Sequence, residues 1–331
     1  MEERCPADSP VGKTLKKYQS EGKQEIANLF LAFYFKTVPG TDDTFEFTHK
    51  TFAEYLTACR IVNHFVGLCD DIEYNKTKGE PKYSQVLEDW LRICGQTAIV
   101  HDLYIFIRDE IAYRAKGEQF HEKIRAMQKN AAELIEYTVK CGMPCQVLGL
   151  PFKQQQEHAR NAGKALLVIH SSLAEVTDEV SKIAWPKSNS AGEWITELRG
   201  QRLAPSDNIP INHIDFSDQI FHLCDLYEFN IRKSVFVGSL CYHTIFWGAN
   251  LQGANFQEAD LRETYLWGAN LRGANLTGAN LEDTIGLPED IMQKYGHPLP
   301  DAPHYFKEKR SHADVVVTPA EIDEIPDDEE R

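Results

Sequence analysis

Every fifth residue from Ile211 to Leu281 is apolar: Ile211, Phe216, Phe221, Leu226, Ile231, Phe236, Cys241, Phe246, Leu251, Phe256, Leu261, Leu266, Leu271, Leu276 and Leu281. No other feature of the chain restricts its fold so tightly. Neither a 3.6-residue nor a two-residue period stays in phase with so many steps of five, so an amphipathic helix and a half-buried strand are both excluded. Two positions before each of the later apolar residues stands a small one: Thr244, Ala249, Ala254, Ala259, Thr264, Ala269, Ala274 and Ala279. Large and small side chains alternating inward around one axis describe a narrow solenoid.

Stretches such as GANLRGANLTGANL, residues 268–281, resemble the pentapeptide-repeat family. The resemblance implies a right-handed quadrilateral β-helix with four repeats to each coil. A Leu or Phe would then stack on its counterpart twenty residues later, about 4.8 Å away, and the whole rod would be roughly 18 Å long. Ile209, Ile214, Gln219, Cys224 and Phe229 occupy the usually small position, which predicts wider or distorted coils at the N-terminal end, with Gln219 the weakest point of the register. The same spacing aligns Tyr227, Trp247 and Trp267 on one outer face, and Leu287 continues their register. Such a stripe is either covered by the helical domain or the returning C-terminal segment, or it is a surface for a partner.

The N-terminal half is helical by its periodicity. Residues 22–37 read as a buried helix, the alternation of Phe45 and Phe47 as a strand, and residues 50–66 as a helix with Phe52, Tyr55, Leu56, Cys59, Val62 and Phe65 on one face. Thr51 with Glu54 fits a capping box, and Thr48 is the other candidate cap. Further helices are predicted over 87–94, 102–114, 118–140 and 191–198, and over 154–185 as a broken pair. Residues 314–331 are acidic and interrupted by proline, a composition that predicts disorder. The expected fold is therefore α plus β-solenoid. Its predicted divisions are a winged-helix-like segment (1–66), a helical connector (67–205), the repeat β-helix (206–286) and an acidic tail (287–331).

The segment FEFTHKTFAEYLTACRIV, residues 45–62, resembles the end of the winged-helix region in NACHT-type STAND ATPases. EDWLRICG (88–95), CGMP (141–144) and HARNAGKALLVI (158–169) look like the helical connector between such a region and pentapeptide repeats in bacterial proteins. The resemblance implies that His49 reaches the phosphate of a nucleotide when an NTPase domain is present. It also implies a setting in bacterial signalling or defence, with an NTPase or effector subunit as partner. Residues 7–14, ADSPVGKT, satisfy the loose phosphate-loop pattern, but only MEERCP precedes them, and a phosphate loop follows a buried strand. They are predicted to be a helix entry capped by Ser9.

Other chemistry finds little support. Cys141 and Cys145 lack a second ligand pair for a metal, and no histidine stands in a hydrolase or zinc-peptidase motif. Lys123, Arg125 and Lys129 make a modest basic stretch on a helix. A net charge of −15 over 331 residues opposes capture of nucleic acid. The eight cysteines read as reduced thiols, no run is long and apolar enough to span a bilayer, and a cytoplasmic protein is expected. The function predicted is a non-enzymatic interaction or sensor module with no catalytic residue, cofactor or metal, contacting a protein through Tyr227, Trp247 and Trp267. The alternatives are a DNA-mimicking inhibitor of a DNA-binding enzyme and a nucleotide-binding ATPase fragment.

Overall fold

The computed structural model describes residues 35–37, 45–47, 50–199 and 210–295. His49, the ADSPVGKT segment and residues 314–331 lie outside them. Strand β1 (Phe35–Thr37) pairs antiparallel with β2 (Phe45–Phe47), Phe35 opposite Phe47. Residues 35–37 are thus strand, where periodicity predicted the end of a helix. A strand must find a partner for its backbone N–H and C=O groups, and residues 45–47 supply one.

Six helices follow: α1 (Lys50–Thr77), α2 (Tyr83–Cys94), α3 (His101–Arg114), α4 (Glu118–Cys141), α5 (Phe152–Thr177) and α6 (Ser190–Arg199). Helix α1 continues unbroken beyond Val66, burying Leu68, Cys69 and Ile72 on the face begun by Ile61, Val62 and Phe65. The predicted pair over 154–185 is one helix and a strand. Asp178 takes a left-handed conformation (φ 56°) and returns its amide to Ala174 O at 2.8 Å, which stops α5. The short strand β3 (Ser181–Lys182) follows.

Helix α5 is the axis of the helical part, buried on every side over residues 165–174, as expected of a helix that is largely apolar all round. Trp90 of α2 anchors it by donating from Nε1 to Ala162 O at 2.9 Å, with Phe65 packed edge-on against the indole. Gly163 lets α6 approach closely, since a Cβ there would stand 2.4 Å from Leu198 Cδ2.

In the solenoid, parallel bridges join residues twenty apart without a break, from Pro210↔Asn230 to Tyr265↔Ile285. All fifteen inward residues read from the fivefold register are at most 3% exposed. The phenyl rings of Phe216, Phe236 and Phe256 form one column, with centroids 5.1 and 4.7 Å apart. The ladder does not break at the oversized residues of the first coil. Gln219, the predicted weak point, is buried, and with its amide assigned by the acceptors around it the nitrogen donates to Lys187 O and Ser188 O, both at 3.1 Å. Its side chain meets the segment before α6, while its carbonyl accepts from the Leu240 amide of the next coil at 2.9 Å.

Both ends of the ladder are closed, as exposed sheet edges otherwise invite pairing with other chains. At the first coil β3 pairs in parallel with β4 (Ile214–Asp215), and Trp185 stacks on Phe216 at 5.5 Å and donates from Nε1 to Asp215 O. At the last coil α7 (Glu289–Tyr295) lays Ile291 and Met292 over the core, and Tyr295 Oη accepts from the Leu276 amide at 3.2 Å.

Candidate partner-binding face

Each five-residue unit puts its central residue inward, the next one outward, and the one after that into the left-handed region. His213, Asp218, Leu223, Glu228 and Lys233 all show φ between 55° and 59°, and Gly238, Gly248 and Gly268 repeat the turn at 65°. Geometry therefore points the residue after each inward position away from the coil axis, and twenty-residue stacking sets equivalent residues side by side. Tyr227 and Trp247 are neighbours, with ring centroids 6.3 Å apart and planes at 47°. Trp267 is one coil further along, and all three are half-buried. Gly286 packs against the foot of this column: its φ is +81°, and a Cβ would lie 2.6 Å from the Trp267 amide nitrogen. The register brings the three aromatics to one face, as read from the sequence, and Leu287 is buried beyond them.

The strip is wider than the aromatic register alone. Ile245, Tyr265 and Ile285 are successive partners in the ladder on the other side of the inward column and are also half-buried. Gly248 and Gly268, one above the other, add no side chain of their own to the outer edge of the strip, and Glu228 lies against Gly248. Beyond them Asn270 donates from Nδ2 to Asn250 Oδ1 at 3.2 Å, an amide ladder along the axis. Apolar rings, a glycine edge and a line of amides together form a rigid surface of mixed chemistry.

A second cluster escaped the reading of the repeats. His222 stacks on Tyr242 (5.3 Å, 13°), His243 lies 4.1 Å from Tyr242, and Arg262 stands over the Tyr242 ring. Tyr242 Oη donates to Glu263 Oε1 at 2.8 Å, and this bond pushes the phenol pKa up. His243 Nε2 meets the other oxygen of Glu263 at 3.2 Å. Beside them Leu223 is 68% exposed and Leu240 45%. Comparing residues twenty apart would have paired His222 with Tyr242. His213, which shares a repeat position with His243, belongs to a different place: it is buried against Asp178.

The remaining candidates are not drawn together. Lys123, Arg125 and Lys129 are each set against a carboxylate, of Asp70, Glu179 and Glu133 respectively. Cys141 is exposed and Cys145 buried. Among the described residues no group of three or more His, Cys, Asp or Glu could hold a metal ion, and no helix is long and apolar enough to cross a membrane. Burial pushes the thiols of Cys69 and Cys241 up to about 12, so both stay protonated and inert.

Residues 249–285 match the family model of pentapeptide repeats as eight copies, so the C-terminal part is a pentapeptide-repeat domain. Solved structures similar to the chain include a pentapeptide repeat protein from the Arabidopsis thaliana thylakoid lumen. That protein is 36% identical, with 23% of this chain and 52% of that one covered and a TM-score of 0.22. Another is Rfr23 from the cyanobacterium Cyanothece 51142, at 22% identity, coverage of 26% and 68%, and a TM-score of 0.21. A third is HetL from Nostoc sp. strain PCC 7120, a pentapeptide repeat protein involved in heterocyst differentiation regulation, at 29% identity, coverage of 23% and 38%, and a TM-score of 0.19. The chain thus spans about half the length of the first of these. No curated protein matches it.

Proposed function

We propose that the chain is a protein-interaction module without catalytic chemistry, in which the solenoid presents a rigid recognition face and the helical part carries it. The observation that supports this most is the strip of Tyr227, Trp247 and Trp267 flanked by Ile245, Tyr265 and Ile285. Aromatic anchors on a stiff backbone lose little freedom on binding and dominate the energetics of protein interfaces. The likeness of residues 45–62 to NACHT-type STAND proteins supports a finer reading, the sensor half of a bacterial, cytoplasmic signalling or defence system. Its partner would be an NTPase or effector subunit, and His49 would meet a nucleotide only when that NTPase is present. The divisions 1–66, 67–205, 206–286 and 287–331 belong to the same proposal.

The test is capture of the partner by the full chain and by a Trp247→Ser, Trp267→Ser double variant. Capture should disappear while the circular dichroism spectrum and melting temperature stay near those of the parent; retained capture removes the strip from this role. The DNA-mimic alternative asks for a continuous acidic surface, whereas Arg262 is bonded through Nε and Nη2 to both oxygens of Asp260 within the outer face. No inhibition is expected in a gyrase supercoiling assay. Calorimetry of the chain with ATP should likewise show no binding.

A further inference from the structure

The helical part meets the first coil through a polar seam. From α5, Ser171 Oγ donates to Pro210 O at 3.1 Å and accepts from the Asn212 amide at 3.2 Å. Glu175 accepts from Asn212 Nδ2 at 2.9 Å, and Asp178 Oδ1 receives both His213 Nε2, at 3.2 Å, and the ammonium of Lys233. From α3, Tyr104 is buried here, and Arg108 and Glu175 both act on it. From the solenoid, Arg232 donates its amide to Asn212 Oδ1, and its own charge acts on His213.

Two histidines are enclosed in this seam. His170 is completely buried, and neither ring nitrogen meets a hydrogen-bond partner among the described residues. His213 is 4% exposed, and its Nδ1 is likewise without one. Burial, with the charge of His213 adding to it, brings the pKa of His170 down from 6.5 to about 3. His213 is also lowered by burial, against the opposing pull of Asp178. A buried imidazolium needs an acceptor or a counter-charge. His170 has neither, and the one carboxylate beside His213 is already shared with Lys233.

We propose that this seam is a proton-operated latch: neutral His170 and His213 hold the helical part on the first coil, and proton uptake by the two rings releases it. The sign follows from linkage. The closed seam binds protons more weakly than the open one, so closure is fully favoured above pH 6.5 and is lost as the pH falls from there toward 3. His170 alone shifts the closing equilibrium about 30-fold toward opening at pH 5, and His213 adds in the same direction. Opening would unstack Trp185 from Phe216 and break the β3–β4 pairing, while the later coils, held to one another by their own bridges, keep their ladder.

Hydrogen exchange by mass spectrometry on the full chain at pH 7.5 and pH 5.0, corrected for the chemical exchange rate, tests this. Peptides spanning 181–185 and 211–220 report the seam, and peptides within 254–275 report the later coils. The expected result is a loss of seam protection of about 30-fold or more, with the later coils unchanged. His170→Leu should remove most of that loss. His213→Asn, which keeps a donor for Asp178 and removes one protonation site, should reduce it. Unchanged seam protection in the parent at pH 5, an equal loss in residues 254–275, or the full loss persisting in either folded variant would each overturn the latch.

Discussion

The two halves of the solenoid reach one geometry by different chemistry. In the later half, over 249–285, leucines fill most inward positions with alanines beside them, and this is the stretch the family model matches. In the earlier half, phenyl rings at 216, 221, 236 and 246 pack edge-to-face and tilted, and in its second coil the small position holds Ser234, Ser239 and Thr244. The same ladder of bridges nevertheless runs through both. Ser234 Oγ donates to Ile211 O at 2.8 Å, Ser239 Oγ to Phe236 O at 2.8 Å, and Thr244 Oγ1 to Phe221 O at 2.7 Å. At these three positions a hydroxyl takes the place of an alanine methyl, and a carbonyl satisfies it.

The comparison can be broken most severely at Phe236, which touches the rings of Phe216, Phe221, Phe246 and Phe256. Phe236→Ala should cost about 3–5 kcal/mol, read from urea unfolding. A loss under 1 kcal/mol would show that the ring columns do not hold the earlier half together. At the C-terminal end, Gly286→Ala must move Trp267 and adopt a strained φ, and a cost of about 1–3 kcal/mol is expected. Thr244→Ala removes one buried hydrogen bond and should cost about 1 kcal/mol, whereas Thr244→Ser should be closer to neutral. The smallest effect has the opposite sign. Leu223 is exposed and held at φ 59°, so Leu223→Gly should stabilise the chain by roughly 0.5–1 kcal/mol, seen as a higher urea midpoint.

What could be read in the sequence follows the range of the interactions responsible. The fivefold register identified every inward residue because each repeat solves the same local problem, and the outward position of Tyr227, Trp247 and Trp267 followed from it. Gln219 looked like a flaw because its partners, the carbonyls of Lys187 and Ser188, lie in another part of the fold. Strand β3 was hidden for the same reason: the Ser181 amide donates to His213 O, across a gap in sequence that no local pattern spans. Residues 35–37 were misassigned because three residues carry too little periodicity to separate a strand from the end of a helix. The cluster of His222, Tyr242 and His243 was legible in principle. The coil aligns residues of any type, so the twenty-residue spacing sets His222 beside Tyr242.

The closed ends of the ladder have a consequence for how such a molecule can change its reach. Trp185 and β3 grip the first coil and α7 grips the last. Inserting or deleting twenty residues would therefore lengthen or shorten the recognition face by one rung, leaving both caps their own contacts and the aromatic strip its heading. The length of the face is a variable that can be set in whole coils, independently of the parts that start and stop it.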